Sequence, residues 1–230
     1  MIDFHIHLLP GMDDGAQSVA ESRAMLQKLA SQGITHAVCT PHYYGEKESV
    51  QDFLARRDQS AAQIGEFAKE LGIRLAFGAE IAMWHGMSTE ISEKLCPGES
   101  NLLLCELPAS YSPWIIDELE ELGALGYCPM IAHVDRVQAL YSKDQLAAVL
   151  ECRGVVYQFN AGALSKPRVQ GLARALCAMG AQMVVGTDGH GEDYRSPDFS
   201  PANKALGTWR AKRVRERMER CRKELENAIF

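Results

Sequence analysis

A chain of 230 residues, 47% of them hydrophobic, can bury a sizeable core as one large domain or two small ones. Its formal charge of -6 speaks against nucleic acid as a partner, because phosphate backbones select basic surfaces. Its seven cysteines, odd in number and without a CxxC pair, read as the reduced thiols of a cytoplasmic protein and not as a disulfide framework.

The first run, MIDFHIH, reads as a strand, and Asp3 and His5 within it interrupt any apolar leader. Ser18-Val-Ala-Glu21 matches a capping box and opens a helix that runs to about Gln32, before Gly33. Ile34 to Thr40 is the next strand, and a long polar helix from about Ser49 to Leu71 follows. Further strands are expected at Ile73 to Glu80, Asn101 to Leu107, Cys128 to Val134, Gly154 to Asn160 and Ala181 to Asp188. Helices fill the gaps at about Pro113 to Leu125, Ser142 to Cys152 and Lys166 to Met179, and a last helix runs from about Pro201 to the end. That last helix interleaves basic residues with glutamates, the pattern of a solvated face, with docking to a partner or a membrane surface as the lesser reading. No linker-like segment divides the chain, so residues 1–230 are expected to form a single domain. No apolar run approaches the roughly 18–20 residues a bilayer crossing needs, so stable membrane insertion is not expected.

Strands alternating with helices imply a parallel sheet with helical crossovers. Groups able to bind metal or carry protons sit at the carboxyl end of nearly every strand: His5, His7, His42, Glu80, Glu106, His133, and Asp188 with His190. An open sheet gathers its ligand site from a few strand ends at a switch point. A βα barrel turns every carboxyl end toward one mouth. The distribution therefore favours a barrel, here with seven strands.

His5 and His7, two apart on a strand, point to one face. Taken alone, they read equally well as a pair of satisfied core histidines. Five of the seven histidines fall at predicted strand ends, however, and Asp188 and His190 in GTDGH repeat the same spacing. Glu80 and Glu106 end apolar strands, where a carboxylate is costly unless a cation or hydrogen bonds satisfy it. Asp14, in the turn DDG, is either a ligand or a turn residue. His5, His7, Asp14, His42, Glu80, Glu106, His133, Asp188 and His190 make nine candidates. One ion takes about four to six ligands, so nine suggest two or three divalent ions sharing a bridging carboxylate. Nitrogen and oxygen donors without cysteine favour manganese, iron or zinc in a catalytic cluster.

HIH, DDG, TPH, GAE, the Glu106 strand, AHVDR and DGH follow one another in the order seen in the PHP (polymerase and histidinol phosphatase) superfamily. The opening MIDFHIHLLPGMDDG together with AHVDR resembles its bacterial tyrosine-protein phosphatase branch, from Met1 to about Pro197. The resemblance implies an α/β fold, a distorted (β/α)7 TIM-like barrel with a trinuclear metal site at the carboxyl ends of its strands. It implies His5, His7, Glu80 and Asp188 around one ion, Glu80 as bridge with Glu106 and His133 around the second, and Asp14, His42 and His190 around the third. Manganese is the expected ion, with iron or zinc as alternatives. Arg136 in AHVDR and Arg195 in HGEDYR match the branch's phosphate-binding arginines, whose planar forks suit phosphoryl oxygens. Asp135 stands where the branch more often has Glu, and Asn160 in QFNAG matches a family strand end of open role. The implied activity is hydrolysis of phosphotyrosine by metal-bound hydroxide, on an autokinase that controls capsule or exopolysaccharide synthesis. Two other readings stay open: a phosphatase of histidinol phosphate or another small phosphoester, and a non-catalytic module that binds phosphoproteins. Oligomeric state is open as well. No cysteine is followed six positions later by arginine, which a thiol-based tyrosine phosphatase would need.

Overall fold

Short buried strands alternate with helices, and the strands are broken where proline or glycine interrupts their pairing. The computed structural model describes all residues apart from the side chain of Trp209. The first strand, β1 (Ile2–Ile6), is buried along its whole length, as expected for a parallel strand covered on both faces. Helix α1 (Val19–Ser31) begins at Ser18, whose hydroxyl accepts from the Glu21 backbone N–H. Strand β2 (His36–Cys39) pairs in parallel with β1. Pro41 has no N–H to donate, and the chain resumes beyond it as the two-residue β3 (His42–Tyr43).

The helix expected over 49–71 is two helices, α2 (Val50–Ala62) and α3 (Gly65–Glu70). Ile64 leaves helical geometry between them (φ -121°) and is fully buried. The strand expected over 73–80 is likewise two, β4 (Arg74–Phe77) and β5 (Glu80–Ala82), parted at Gly78 and Ala79. There the Gly78 N–H donates to the Cys39 carbonyl (2.9 Å) and the Glu80 N–H to the Pro41 carbonyl (3.0 Å), so backbone pairing continues across both breaks.

Strand β6 (Leu102–Glu106), helix α4 (Trp114–Ala124) and strand β7 (Cys128–Ile131) follow. The fifth expected strand stops short of Val134, where α5 (Val134–Leu140) begins instead, so His133 and Arg136 sit at a helix start. Then come α6 (Lys143–Glu151), β8 (Val156–Asn160), α7 (Pro167–Ala178) and β9 (Gln182–Gly186). The expected last helix is α8 (Ser200–Leu206) and α9 (Lys212–Ile229), parted after Gly207. Helix α9 buries Val214, Met218, Cys221 and Ile229 and carries ion pairs such as Arg222 with Glu219 (2.7 Å) on its outer face. Among the described residues no helix is long and apolar enough to cross a membrane.

Among the described residues, nine strands form two parallel sheets, ordered β1-β2-β4 and β3-β5-β6-β7-β8-β9. The fold is thus mixed α/β with parallel sheets. Beyond β9 the two sheets meet: the Asp188 N–H donates to the His5 carbonyl (2.8 Å) and the His7 N–H to the Gly189 carbonyl (2.9 Å). The buried Asp3 carboxylate reinforces this seam by accepting from the Thr187 N–H (2.8 Å) and hydroxyl (2.5 Å). One apolar cluster gathers Phe4, Val38, Ala76, Leu104, Met130 and Val184, drawn from strands of both sheets, with Cys221 and Ile229 of α9 packed in. The β1–β2 register shifts by one residue between Asp3 and Ile6. A bulge of this kind re-aims the side chains beyond it, and His5 and His7 emerge toward Glu80 and Asp188.

Candidate metal centre

The strand ends bring the nine candidate ligands together. His5 and His7 leave the end of β1, His42 opens β3, Glu80 opens β5, Glu106 closes β6 and His133 caps α5. Asp188 and His190 lie in the turn after β9, and Asp14 reaches in from the loop after β1. Glu80 is the hub and is 1% exposed. Its Oε2 lies 3.2 Å from His5 Nε2, 3.0 Å from His7 Nε2 and 3.2 Å from His42 Nδ1, while its Oε1 lies 2.8 Å from His133 Nε2. Glu106 Oε1 is 3.4 Å from His133 Nε2. Asp188 Oδ1 stands 3.6 Å from ring nitrogens of His5, His7 and His190. The exposed Asp14 directs Oδ1 to within 3.5 Å of His42 Nε2 and 3.4 Å of His190 Nε2.

These donors fit divalent ions. Glu80 Oε2, Asp188 Oδ1 and His42 Nδ1 are buried without a hydrogen-bond partner, although buried polar atoms almost always find one. His5 Nε2 and His7 Nε2 face each other at 3.1 Å, so one must carry a proton for the pair to be tolerated. Three sets of side chains bring their ligand atoms within 4.8 Å of one another: His7, Asp14, His42 and His190; His5, His7, Glu80 and Asp188; and His42, Glu80 and Glu106. Imidazole and carboxylate donors in such sets suit zinc, iron or manganese.

Protons hold the same place electrostatically. Burial works against a charged His7, yet the Asp13 and Glu80 carboxylates carry it up to about 10. Burial likewise opposes a charged His133, but Glu106 and Glu80 raise it to about 9. Burial would raise Glu80, and the surrounding imidazoles instead hold it well below the usual carboxylate range. His190 is pushed down to about 4 by burial and by His7. An ion entering here displaces imidazolium protons, since only neutral imidazole binds metal.

Four residues at the centre escaped the sequence reading or were left without a role. Asp13, next to the chosen Asp14, is the buried member of the pair. Its Oδ2 accepts from His7 Nδ1 (2.7 Å) and from the His42 backbone N–H (2.8 Å), and its Oδ1 from the Gly15 N–H (2.9 Å). Such contacts fix the tautomer and orientation of a ligating imidazole. We expect Asp13→Asn to weaken metal binding roughly 10–100-fold, read by titrating metal into the chelated protein, while Asp14→Asn leaves His7 in place. Gln158, fully buried, holds His5 Nδ1 (3.1 Å) and accepts from the His133 N–H (2.6 Å) with the same oxygen. Asn160 donates to Asp188 Oδ2 (2.9 Å). Asp3 braces the seam described above. A glutamine and an asparagine two apart in the apolar run VVYQFN was the available signal, because polar side chains sharing one face of a buried strand need partners.

The loop that carries Asp13 and Asp14 lies against β1. A Cβ on Gly15 would stand 2.4 Å from His7 Cβ and 2.5 Å from the His7 carbonyl oxygen. Gly15→Ala should therefore push the loop off His7 and lower both metal content and melting temperature.

Arg136 and Arg195 converge from different elements on one oxygen, Asp188 Oδ2. Arg195 also places Nη1 3.0 Å from His190 Nε2. Burial would raise the Asp188 carboxyl, but His5 and the two guanidiniums bring it down to about 2. Among the described residues, the non-glycine residues with positive φ are His133 (32°), Asp188 (53°) and Arg195 (49°). Each costs roughly 1–3 kcal/mol, and all three sit at this centre.

Residues 1–223 match the family described as capsular polysaccharide synthesis, CpsB/CapC. The chain belongs to the CpsB/CapC family. It is 31% identical over 217 residues to the tyrosine-protein phosphatase CpsB of Streptococcus pneumoniae, covering 88% of each chain. It is 31% identical over 167 residues to CapC of Staphylococcus aureus, 71% of this chain and 66% of that protein, so the match spans about two thirds of that relative. The solved structures of YwqE from Bacillus subtilis and CpsB from Streptococcus pneumoniae, described as unique metal-dependent tyrosine phosphatases, share the fold: TM-score 0.79 at 22% identity, over 99% of this chain and 95% of that one. The resemblance read from HIH through DGH is thus borne out at the level of the family.

Proposed function

We propose that the chain is a metal-dependent protein-tyrosine phosphatase. The carrying observation is the convergence of imidazoles and carboxylates around the unpartnered Glu80 Oε2 and Asp188 Oδ1, with two arginines at the rim. His5, His7, Glu80 and Asp188 would hold one ion. Glu80, Glu106 and His133 would hold a second, and Asp14, His42 and His190 a third. Manganese is our first choice of ion, before iron or zinc.

Bound divalent ions supply an activated water and positive charge against the phosphoryl oxygens. The chain's own groups orient the rest. Asp13 and Gln158 fix the rings of His7 and His5. Arg136 and Arg195 touch Asp188 with part of their forks, leaving donors for phosphoryl oxygens. Tyrosinate, with a phenol pKa of about 10, leaves without a strong acid beside it. Thiol catalysis lacks support: burial pushes the Cys39 and Cys105 thiols upward, away from thiolate.

We read the two sheets as one distorted (β/α)7 barrel, with β2 and β3 as one broken strand and β4 and β5 as another. The hydrogen bonds across both breaks, the β1 to β9 seam and the apolar cluster drawn from both sheets support this. Residues 1–230 form one such domain. The substrate is phosphotyrosine on a bacterial autokinase governing capsule or exopolysaccharide synthesis, and the protein works in the cytoplasm. The names of the relatives support phosphotyrosine as the substrate and a link to capsular polysaccharide synthesis.

The test is chelation followed by add-back. Phosphotyrosine-peptide hydrolysis should vanish on chelation, return with Mn²⁺ and resist thiol alkylation, and histidinol phosphate should be the poorer substrate. A chelator-resistant, alkylation-sensitive activity would sink the metal reading. A clear preference for histidinol phosphate would replace the substrate.

A further inference from the structure

His42 is held differently from the other candidate histidines. Its side chain is 13% exposed, where those of His5, His7, His133 and His190 are 4% or less. Asp13 orients the His7 ring and Gln158 the His5 ring, each through the nitrogen that turns away from Glu80. His42 has no nitrogen left for such a partner. Its Nδ1 faces Glu80 Oε2 (3.2 Å) and its Nε2 faces Asp14 Oδ1 (3.5 Å). Without an orienting partner on the ring, its direction depends on where the backbone puts it. Strand β3 is only two residues long and ends the longer sheet, paired with β5 through His42 with Glu80 and Tyr43 with Ile81. An edge strand is paired on one side, and Asp13 adds a single bond from the His42 N–H.

A tryptophan braces this segment. Trp84 lies two residues beyond β5 and rests the far ring of its indole on Gly45. A Cβ at Gly45 would stand 2.2 Å from Trp84 Cη2, 2.6 Å from Cζ2 and 2.7 Å from Cζ3, so the approach needs a residue without one. The indole also meets the Tyr43 ring edge-on, with centroids 6.3 Å apart, and Tyr43 packs on Phe53 of α2 at 5.0 Å. The turn that carries Trp84 is tied down in its own right. The Met83 N–H donates to the Glu106 carbonyl (3.0 Å). Glu118 of α4, buried, accepts from the Gly86 N–H and from the Ser88 N–H (3.0 Å). A buried carboxylate is costly unless donors satisfy it, and the donors here are the backbone of this turn. Contacts thus run unbroken from α4 through Glu118 and Trp84 to the residues that flank His42.

We infer that Trp84, anchored through Glu118, is a positioning residue for His42: its ring on Gly45 and Tyr43 fixes the β3 segment and so sets the affinity of the ion that His42 binds. The inference rests on the metal-centre reading, and its test separates the two. Mn²⁺ is titrated by calorimetry into chelated wild type, His42→Ala, Trp84→Phe, Gly45→Ala, Glu118→Gln and the double variant of Trp84→Phe with Gly45→Ala. His42→Ala marks the binding step that depends on His42. Phenylalanine stops short of Gly45, because the indole atoms that reach it belong to the second ring.

Trp84→Phe and Glu118→Gln should each weaken the marked step about tenfold, the lower end of what an orienting group contributes, and leave the other steps within about twofold of wild type. Gly45→Ala should weaken the same step from the other side, by pushing the indole away. The double variant should recover much of the loss, because the added methyl fills space that the shorter ring leaves, and residues in contact do not act additively. A marked step unchanged in Trp84→Phe would overturn the inference. So would all steps weakening alike, or two losses that simply add in the double variant, either of which makes Trp84 an ordinary packing residue. Should Trp84→Phe fail to fold, Gly45→Ala and Glu118→Gln decide the same question. Failure of the metal-centre reading shows in wild type instead, as no uptake of Mn²⁺ or Zn²⁺, and takes the inference with it.

Discussion

Glu80→Gln is expected to remove bound metal and phosphatase activity together. Among the described residues, Glu80 is the one side chain that touches four histidines: His5, His7 and His42 through Oε2, and His133 through Oε1. It is 1% exposed and its Oε2 has no hydrogen-bond partner. A neutral amide of the same shape keeps the packing but takes away the charge and one acceptor. Its NH2 group would point donors at whatever cation the imidazoles face. Losing a group that only orients a ligand costs roughly 10–100-fold in metal affinity or activity, and losing the shared carboxylate itself should exceed that. The check is metal content after dialysis against limiting Mn²⁺, with the rate on a phosphotyrosine peptide measured on the same samples. Full metal occupancy with full rate would remove Glu80 from the centre. Because His7 and His133 are held protonated partly by Glu80, the variant should also lose the charge balance of the metal-free protein. The metal-free variant should therefore melt lower than metal-free wild type.

How much of this was legible beforehand follows from what a one-dimensional pattern can carry. His5 and His7 share a face because strand side chains alternate, a rule that needs only spacing. Polar residues ending apolar strands need a reason to be there, and that reason singled out Glu80, Glu106 and His133 without coordinates. The breaks in the strands were not legible in the same way. Gly78 falls inside an expected strand and Pro41 follows directly on the end of another, and only the neighbouring backbone tells whether pairing resumes beyond each. Here the Gly78 and Glu80 N–H groups find carbonyls on the preceding segment and it does resume. The choice between Asp13 and Asp14 also needed three dimensions. Adjacent carboxylates in one turn look alike in sequence, yet one is buried against His7 and the other looks out from the rim. The meeting of Arg136 and Arg195 on one oxygen lies 59 residues apart in sequence and had no local signal at all.

That meeting alters what removing Arg136 should do. If Arg136 stood alone over the mouth, its loss would subtract a phosphate donor and nothing else. In the structure it shares Asp188 Oδ2 with Arg195, and Asn160 donates to the same oxygen. Asp188 Oδ1, the oxygen that faces His5, His7 and His190, is thereby left free. With Arg136→Ala, Arg195 and Asn160 still hold Asp188, so metal content should stay near that of wild type. The rate should fall about 10²–10³-fold, the usual cost of losing one donor to charge that develops in a transition state. Arg136→Lys should recover only part of this, because an ammonium keeps the charge without the planar fork. Removing both guanidiniums is a different experiment. It leaves the nearly fully buried Asp188 with an uncompensated oxygen, so the carboxyl swings or takes up a proton and metal binding weakens as well. The double variant should therefore lose more metal affinity than the two single variants combined, as residues sharing one partner do. Steady-state kinetics on a phosphotyrosine peptide and metal titration across wild type, both single variants and the double variant measure this coupling. If the two losses of metal affinity simply add, the arginines do not act through Asp188. If Arg136→Ala keeps full kcat/KM at full metal occupancy, Arg136 makes no contact with the phosphoryl group.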